Sequence, residues 1–179
     1  MAIGKVAQGI DGEARAGAGV GHQMLAFGEV LLLGAWVGAM AFFSFAVPQS
    51  GFAVLPNRQL VGLLVTSTIT KVEVLGLVLG GLLIVIQLSS WRTRRGARVA
   101  RLLLVALMVA AMALSRFWVT PEMVSLRNSM GPVIEEVPVT DPARIAFNSM
   151  HVYSVGAMMT TLIAGIVATF LTVRSWFRR

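Results

Sequence analysis

The chain has 179 residues, 56% of them hydrophobic and 13% charged, with a mean hydropathy of +0.80. That balance excludes an ordinary soluble domain, the length leaves no room for a separate soluble catalytic module, and the lack of cysteine excludes disulfides, thiolate metal sites and a thiol nucleophile. The net charge of +7 does not point to nucleic acid: Arg92, Arg94, Arg95, Arg98 and Arg101 crowd between two apolar segments and Arg174, Arg178 and Arg179 follow the last, so anionic lipid is the expected counter-charge.

Residues 1–23 mix Lys5 and Arg15 with Asp11, Glu13 and several glycines, and read as a flexible or weakly amphipathic leader. A cleaved signal peptide is not expected, because the apolar stretch that follows is too long and no small-x-small cleavage pattern precedes Pro48. From Met24 to Val47 the only ionisable side chain is Glu29. A hydrocarbon core about 30 Å thick needs about 20 helical residues, so this stretch is expected to cross a membrane. Pro48 should end it, with QSGFAVLPNR as a loop. A second helix is expected over 59–90, with Trp91 at one interface and Lys71 at the opposite boundary, which puts Glu73 just inside the hydrocarbon.

The connection SSWRTRRGARVAR is basic and free of acids, and the positive-inside rule assigns it to the cytoplasm. A third helix is expected over 98–120, leaving Arg116 within the outer hydrocarbon; after Pro121 the start of the polar segment EMVSLRNSMGPVIEEVPVT is compatible with a few further turns before Gly131 and Pro132 stop the helix. Asp141 followed by Pro142 is a helix start, and the fourth helix runs over 142–176. The fold class is thus all-α: a polytopic membrane protein with four transmembrane helices in an antiparallel bundle over 24–179, and both termini cytoplasmic. In a bacterium this is the plasma membrane. Membrane helices approach closely where side chains are small. Gly34 with Gly38 and Gly76 with Gly80 are therefore read as contact rows, and Ala106 with Ala110 and Thr161 with Gly165 as further candidates.

Three stretches, WVGAMAFFSFAVPQSGFAVLP, SRFWVTPEMVSLRNSMG and DPARIAFNSMHVYS, in that order on four crossings, resemble the transmembrane-protein-205-like family, whose bacterial members are catalogued as a domain of unknown function. The similarity runs from about Leu25 to Phe170. It implies a four-helix membrane fold and no settled reaction, substrate or cofactor. The family-like positions are Trp36, Gly38, Phe42, Phe43, Pro48, Phe52, Leu55 and Pro56, then Arg116 and Pro121, then Phe147, His151 and Ser154. The family commonly has an asparagine after the His-x-x-Ser pair. Here that stretch reads VGAMMTTL, so Thr160 or Thr161 replaces the contact or it is missing.

Ionisable groups inside a membrane are functional candidates by default. Glu73, Arg116 and His151, with Lys71 and Ser154, are expected to meet at the outer end of the bundle, with Trp36, Phe43 and Tyr153 lining a cavity there. Arg116 and Glu73 should pair or face water, and their bland role is to lock two helices. Glu29, one or two turns from the inner interface, is expected to snorkel to water. Ten methionines suit cuprous ion, yet more often serve as adaptable packing, and no metal site is expected. No cofactor is expected either: the only histidines, His22 and His151, fall on opposite sides, which argues against a bis-histidine haem. No catalytic motif is recognisable, so the chain is not read as an enzyme. The reading is a small solute- or ion-binding or transport protein. The alternative is a non-catalytic structural or accessory subunit, with membrane lipids and a second copy or a membrane protein as partners. A lipid-acting enzyme is the reading the sequence supports least.

Overall fold

The computed structural model describes residues 2–89, 95–131 and 134–177. The connection around Trp91 and Arg92, the side chain of His22, and Arg178 and Arg179 lie outside the described residues. Helix α1 spans Ala2–Phe45, α2 Val47–Val54, α3 Arg58–Ser89, α4 Arg95–Leu114, α5 Thr120–Ser129 and α6 Pro142–Phe177. A π-helical turn, Ser115–Val119, joins α4 to α5, and a short 3-10 turn, Ile134–Glu136, precedes α6. The architecture is an all-α antiparallel bundle with four long helical rods.

Each rod contains a window of mean hydropathy between 1.9 and 2.2, of which only 22–33% is buried inside the bundle. The rest, including Leu31, Phe42, Leu63, Val78, Leu103 and Ile163, faces outward. A soluble bundle exposes its polar residues; these apolar surfaces have lipid as their solvent. The chain is a multi-pass integral membrane protein.

Several boundaries differ from the sequence reading. Helix α1 is continuous from Ala2, so the expected leader and the first crossing form one helix. Pro48 does not end the crossing. It sits in the first turn of α2, where its missing N–H is not needed, and the Ala46 and Ser50 amides keep the ladder through the joint with bonds of 2.9 Å to Phe42 and Ala46 carbonyls. The loop thereby shrinks to residues 55–57, and Asn57 starts α3 by accepting the Leu60 amide at 2.9 Å. Past Pro121 the third rod takes the prolongation that the polar segment allowed. Proline clashes with the carbonyl four residues back and donates no bond. The chain answers with the wider π turn, in which the Thr120 amide reaches the Ser115 carbonyl, and the helix runs on to Ser129. Asp141 caps α6 as expected, its Oδ1 accepting the Ala143 amide at 2.8 Å.

The core follows alternating steps of four and three residues on all four rods. On α1 the buried positions are Glu29, Leu33, Trp36, Met40 and Phe43, and on α3 the spacing runs through Glu73, Gly76, Gly80, Leu83 and Gln87, with Leu79 buried beside it. On α4 it runs through Arg101, Val105, Met108 and Met112, continuing to Ser115, and on α6 through Ser154, Met158, Thr161, Gly165, Ala168 and Thr172, with Ala164 buried beside it. This is the heptad seam of a left-handed four-helix bundle.

The contact rows fall on only two of the four rods. A side-chain carbon at Gly76 would stand 2.7 Å from Trp36 Nε1, and one at Gly80 would stand 3.0 Å from the far edge of the same indole. These two glycines form a shelf under the fully buried Trp36. Gly165 is also crowded, by Val37 and Met108. Gly34 and Gly38 have no neighbour within 4 Å, and Ala106 and Ala110 are exposed. The glycines face outward because the α1 seam runs through Leu33, Trp36 and Met40, one or two positions away, and the alanines because the α4 seam runs through Val105, Met108 and Met112.

Gly76→Val should therefore force the indole out of place and destabilise the bundle by about 1–3 kcal/mol, the usual cost of overpacking. Gly34→Val should leave stability unchanged. Unfolding of both variants in mixed detergent micelles checks the contrast.

Candidate functional site

Two layers of the seam carry side-chain hydrogen bonds between helices. The first is built on Glu29, which is buried rather than snorkelling. Arg101 Nη1 donates to Glu29 Oε2 at 2.8 Å, and Gln87 Nε2 donates to Oε1 at 2.9 Å. Thr172 Oγ1 stands 3.2 Å from the same Oε1 and 2.9 Å from the Ala168 carbonyl, so one hydroxyl proton is shared between them. One side chain from each rod meets here. A buried carboxylate is tolerable only when paired and hydrogen-bonded, and three donors satisfy that need.

The second layer lies two heptads away along every rod, from 29 to 43, from 87 to 73, from 101 to 115 and from 172 to 158. At 1.5 Å per residue that is about 21 Å. Its polar member is Glu73, 1% exposed and halfway along α3. Ser115 Oγ donates to Glu73 Oε1 at 2.6 Å and Thr120 Oγ1 donates to the same oxygen at 2.8 Å. Among the described residues neither Glu73 Oε2 nor the fully buried Trp36 Nε1 has a hydrogen-bond partner. The π turn makes the double contact possible: in a regular helix residues five apart point about 140° from each other, whereas one π turn brings Ser115 and Thr120 to the same face.

The expected outer cluster is dispersed by this geometry. Glu73 lies mid-helix, where hydroxyls rather than Arg116 bond to it. Arg116 is half-buried on the π turn, and Lys71 and His151 are exposed, with His151 in the third turn of α6. Among the described residues no ion pair joins any of the three to Glu73. Ser154 is buried on the seam one heptad step from Met158. Trp36 and Phe43 fill the core instead of lining a mouth. Tyr153 is exposed beside Trp118, with ring centroids 6.3 Å apart, as in an interfacial aromatic belt. Thr161 is buried and donates back to the Ala157 carbonyl of its own helix at 2.9 Å, so α6 contributes its cross-helix polar contact through Thr172 instead. At the rim, Arg127 lies over the Phe147 ring, 5.6 Å from its centroid, and beside a depression of about 370 Å³ bordered by Gln59, Leu63 and Asn128.

Sequence reasoning missed Ser115, Thr120, Gln87 and Thr172, and took Arg101 for a topology signal. The signal that finds them is the four-three spacing of apolar residues: extended by one step, it lands on each of these polar residues except Thr120, which the π turn brings in.

The family model for the domain of unknown function DUF4149 matches residues 31–132. The chain belongs to this family. The match begins within α1, after Glu29, covers the second and third rods and the whole Glu73 layer except Met158, and stops before α6, so the helix-four motif lies outside it. No curated protein and no solved structure matches the chain.

The Glu29 layer yields a stability prediction. Arg101→Ala leaves a buried carboxylate without its cation and should cost about 3–5 kcal/mol, whereas the apolar pair Glu29→Leu with Arg101→Met should recover most of that loss. Equilibrium unfolding in mixed micelles distinguishes the two.

Proposed function

We propose that this protein binds a small ion or polar solute at Glu73 and passes it through the membrane, without enzymatic chemistry. The observation that supports the reading is the buried mid-helix carboxylate of Glu73, with one oxygen held by two hydroxyls and the other without a hydrogen-bond partner among the described residues. Such a group is costly in hydrocarbon unless a proton or a bound cation neutralises it, which makes it a site rather than a brace. The contrast with Glu29 supports this, because Glu29 has an arginine and Glu73 has none among the described residues.

The positive-inside rule puts the arginine connection and both termini in the cytoplasm, and the plasma membrane is the location if the source is bacterial. Kinship with transmembrane-protein-205-like proteins fits the order of the three motifs. A second reading, a structural or accessory subunit that docks to a second copy or another membrane protein, draws on a different observation: Trp36 and three buried methionines, Met40, Met108 and Met112, fill the seam between the polar layers.

In proteoliposomes with an imposed membrane potential, the protein should carry H⁺, Na⁺ or K⁺ faster than protein-free vesicles. Glu73→Gln should lower that flux at least tenfold, and Gly34→Val should leave it intact. Flux no greater than the protein-free background for all three ions overturns the reading in favour of the accessory subunit.

A further inference from the structure

From the hydrogen-bond pattern around Glu73 we infer that its ligand is an exchangeable proton, carried on Oε2 and relayed through one water molecule seated between Glu73 and Trp36. The inference rests on the reading of Glu73 as the binding site and deepens it by naming the ligand.

The first argument is the asymmetry of the carboxyl group. Both hydroxyl donors, Ser115 Oγ and Thr120 Oγ1, converge on Oε1, and no donor among the described residues bonds to Oε2. A neutral carboxylic acid divides its roles in this way: the carbonyl oxygen accepts, and the hydroxyl oxygen donates. The second argument is the indole. Trp36 is fully buried, yet its N–H has no acceptor among the described residues. Its nitrogen lies beside Gly76, one turn along the same face of α3 from Glu73, where Cβ positions lie about 5–6 Å apart. Two fully buried groups thus sit within one turn of each other with their hydrogen bonds unmade, and the donors differ from those of a metal site.

The ligand that satisfies both is an acceptor for the Trp36 N–H and for the Glu73 O–H at once. A water molecule has two lone pairs for that purpose and needs only a few polar partners. A bare alkali cation would instead meet the positive end of the indole N–H and two hydroxyl protons already turned to the carboxylate. When the proton leaves, the Glu73 O–H bond breaks and the electron pair stays on Oε2. The water then becomes hydronium, and the return step reverses this.

The surrounding charges leave Glu73 to act alone. On α1 the neighbours along the seam are Trp36, Met40 and Phe43, and on α6 they are Ser154 and Met158, all uncharged. The π turn contributes Ser115 and half-buried Arg116. On α3 itself Lys71 is exposed, as is His151 on α6, and none of these cations is ion-paired with Glu73.

The test is difference infrared spectroscopy on the full-length protein in lipid films, stepped from acid to alkaline buffer in K⁺ and then in Na⁺. A protonated-carboxyl band is expected that is lost in Glu73→Gln, shifts in deuterium oxide, titrates with pH and is unchanged by exchanging K⁺ for Na⁺. Trp36→Phe should shift the frequency of that band without abolishing it, which keeps the test decisive if Glu73→Gln fails to fold. Absence of a Glu73-dependent band at every pH overturns the inference. So does a band erased by Na⁺ at constant pH, which marks an alkali-cation site, or one that resists deuterium and pH, which marks a sealed structural acid. Proteoliposome flux without the band removes the proton and keeps the ion-binding reading; the band without flux removes transport and keeps the proton.

Discussion

The rest of the bundle depends on the layer in which one carboxylate, Glu29, collects Arg101, Gln87 and the shared hydroxyl of Thr172. Each donor comes from a different helix, so sliding any rod by one turn would strand a charged or polar group in a low-dielectric core. In a membrane, apolar contacts alone discriminate poorly between registers, because lipid tails are as apolar as leucine. A buried ion pair is weak as a source of stability and well suited to fixing register. Once that layer is set, the four-three repeat places the Glu73 layer two heptads away with no further information.

Between the two layers, close approach does the work that polar contacts do at the ends. Gly76 and Gly80 lack side chains at the two positions where the Trp36 indole lies against α3. Buried methionines, which are unbranched and adaptable, fill the space left around that large, rigid ring. The α1 to α3 contact is therefore a tryptophan on a glycine shelf rather than glycine against glycine. The same packing places the indole nitrogen beside Gly76, at Glu73's end of the shelf.

The third rod shows how a local constraint becomes a site. Pro121 and the π turn before it are a backbone accommodation, yet their consequence is that Ser115 and Thr120 point the same way. The carboxylate of Glu73 is met by two hydroxyls on one oxygen because the helix is overwide there. Widened turns of this kind recur at functional positions for this reason.

Much of the architecture was legible in the chain. The four crossings and the helix start at Asp141 follow from length, hydropathy and local capping chemistry, which act within a few residues, whereas Tyr153, expected to line a cavity, faces outward beside Trp118. Glu73 was legible as an ionisable group in hydrocarbon, but its partners were not. Periodicity says which residues share a face and is silent on which face meets which helix, so Glu29 and Arg101 looked like an interface glutamate and a topology marker, and Gly34 with Gly38 looked like a contact row. Proline read as a stop at 48 because its missing donor is a local fact, whereas the joint at Ala46 that absorbs it, like the π turn before Pro121, is a property of the continued, packed helix. The sequence by itself determined that this protein lies in a membrane as four helices. Only the tertiary structure decided that one buried glutamate is locked to an arginine while the other keeps an oxygen that no described residue bonds, because that depends on which side chains from distant helices arrive at the same depth.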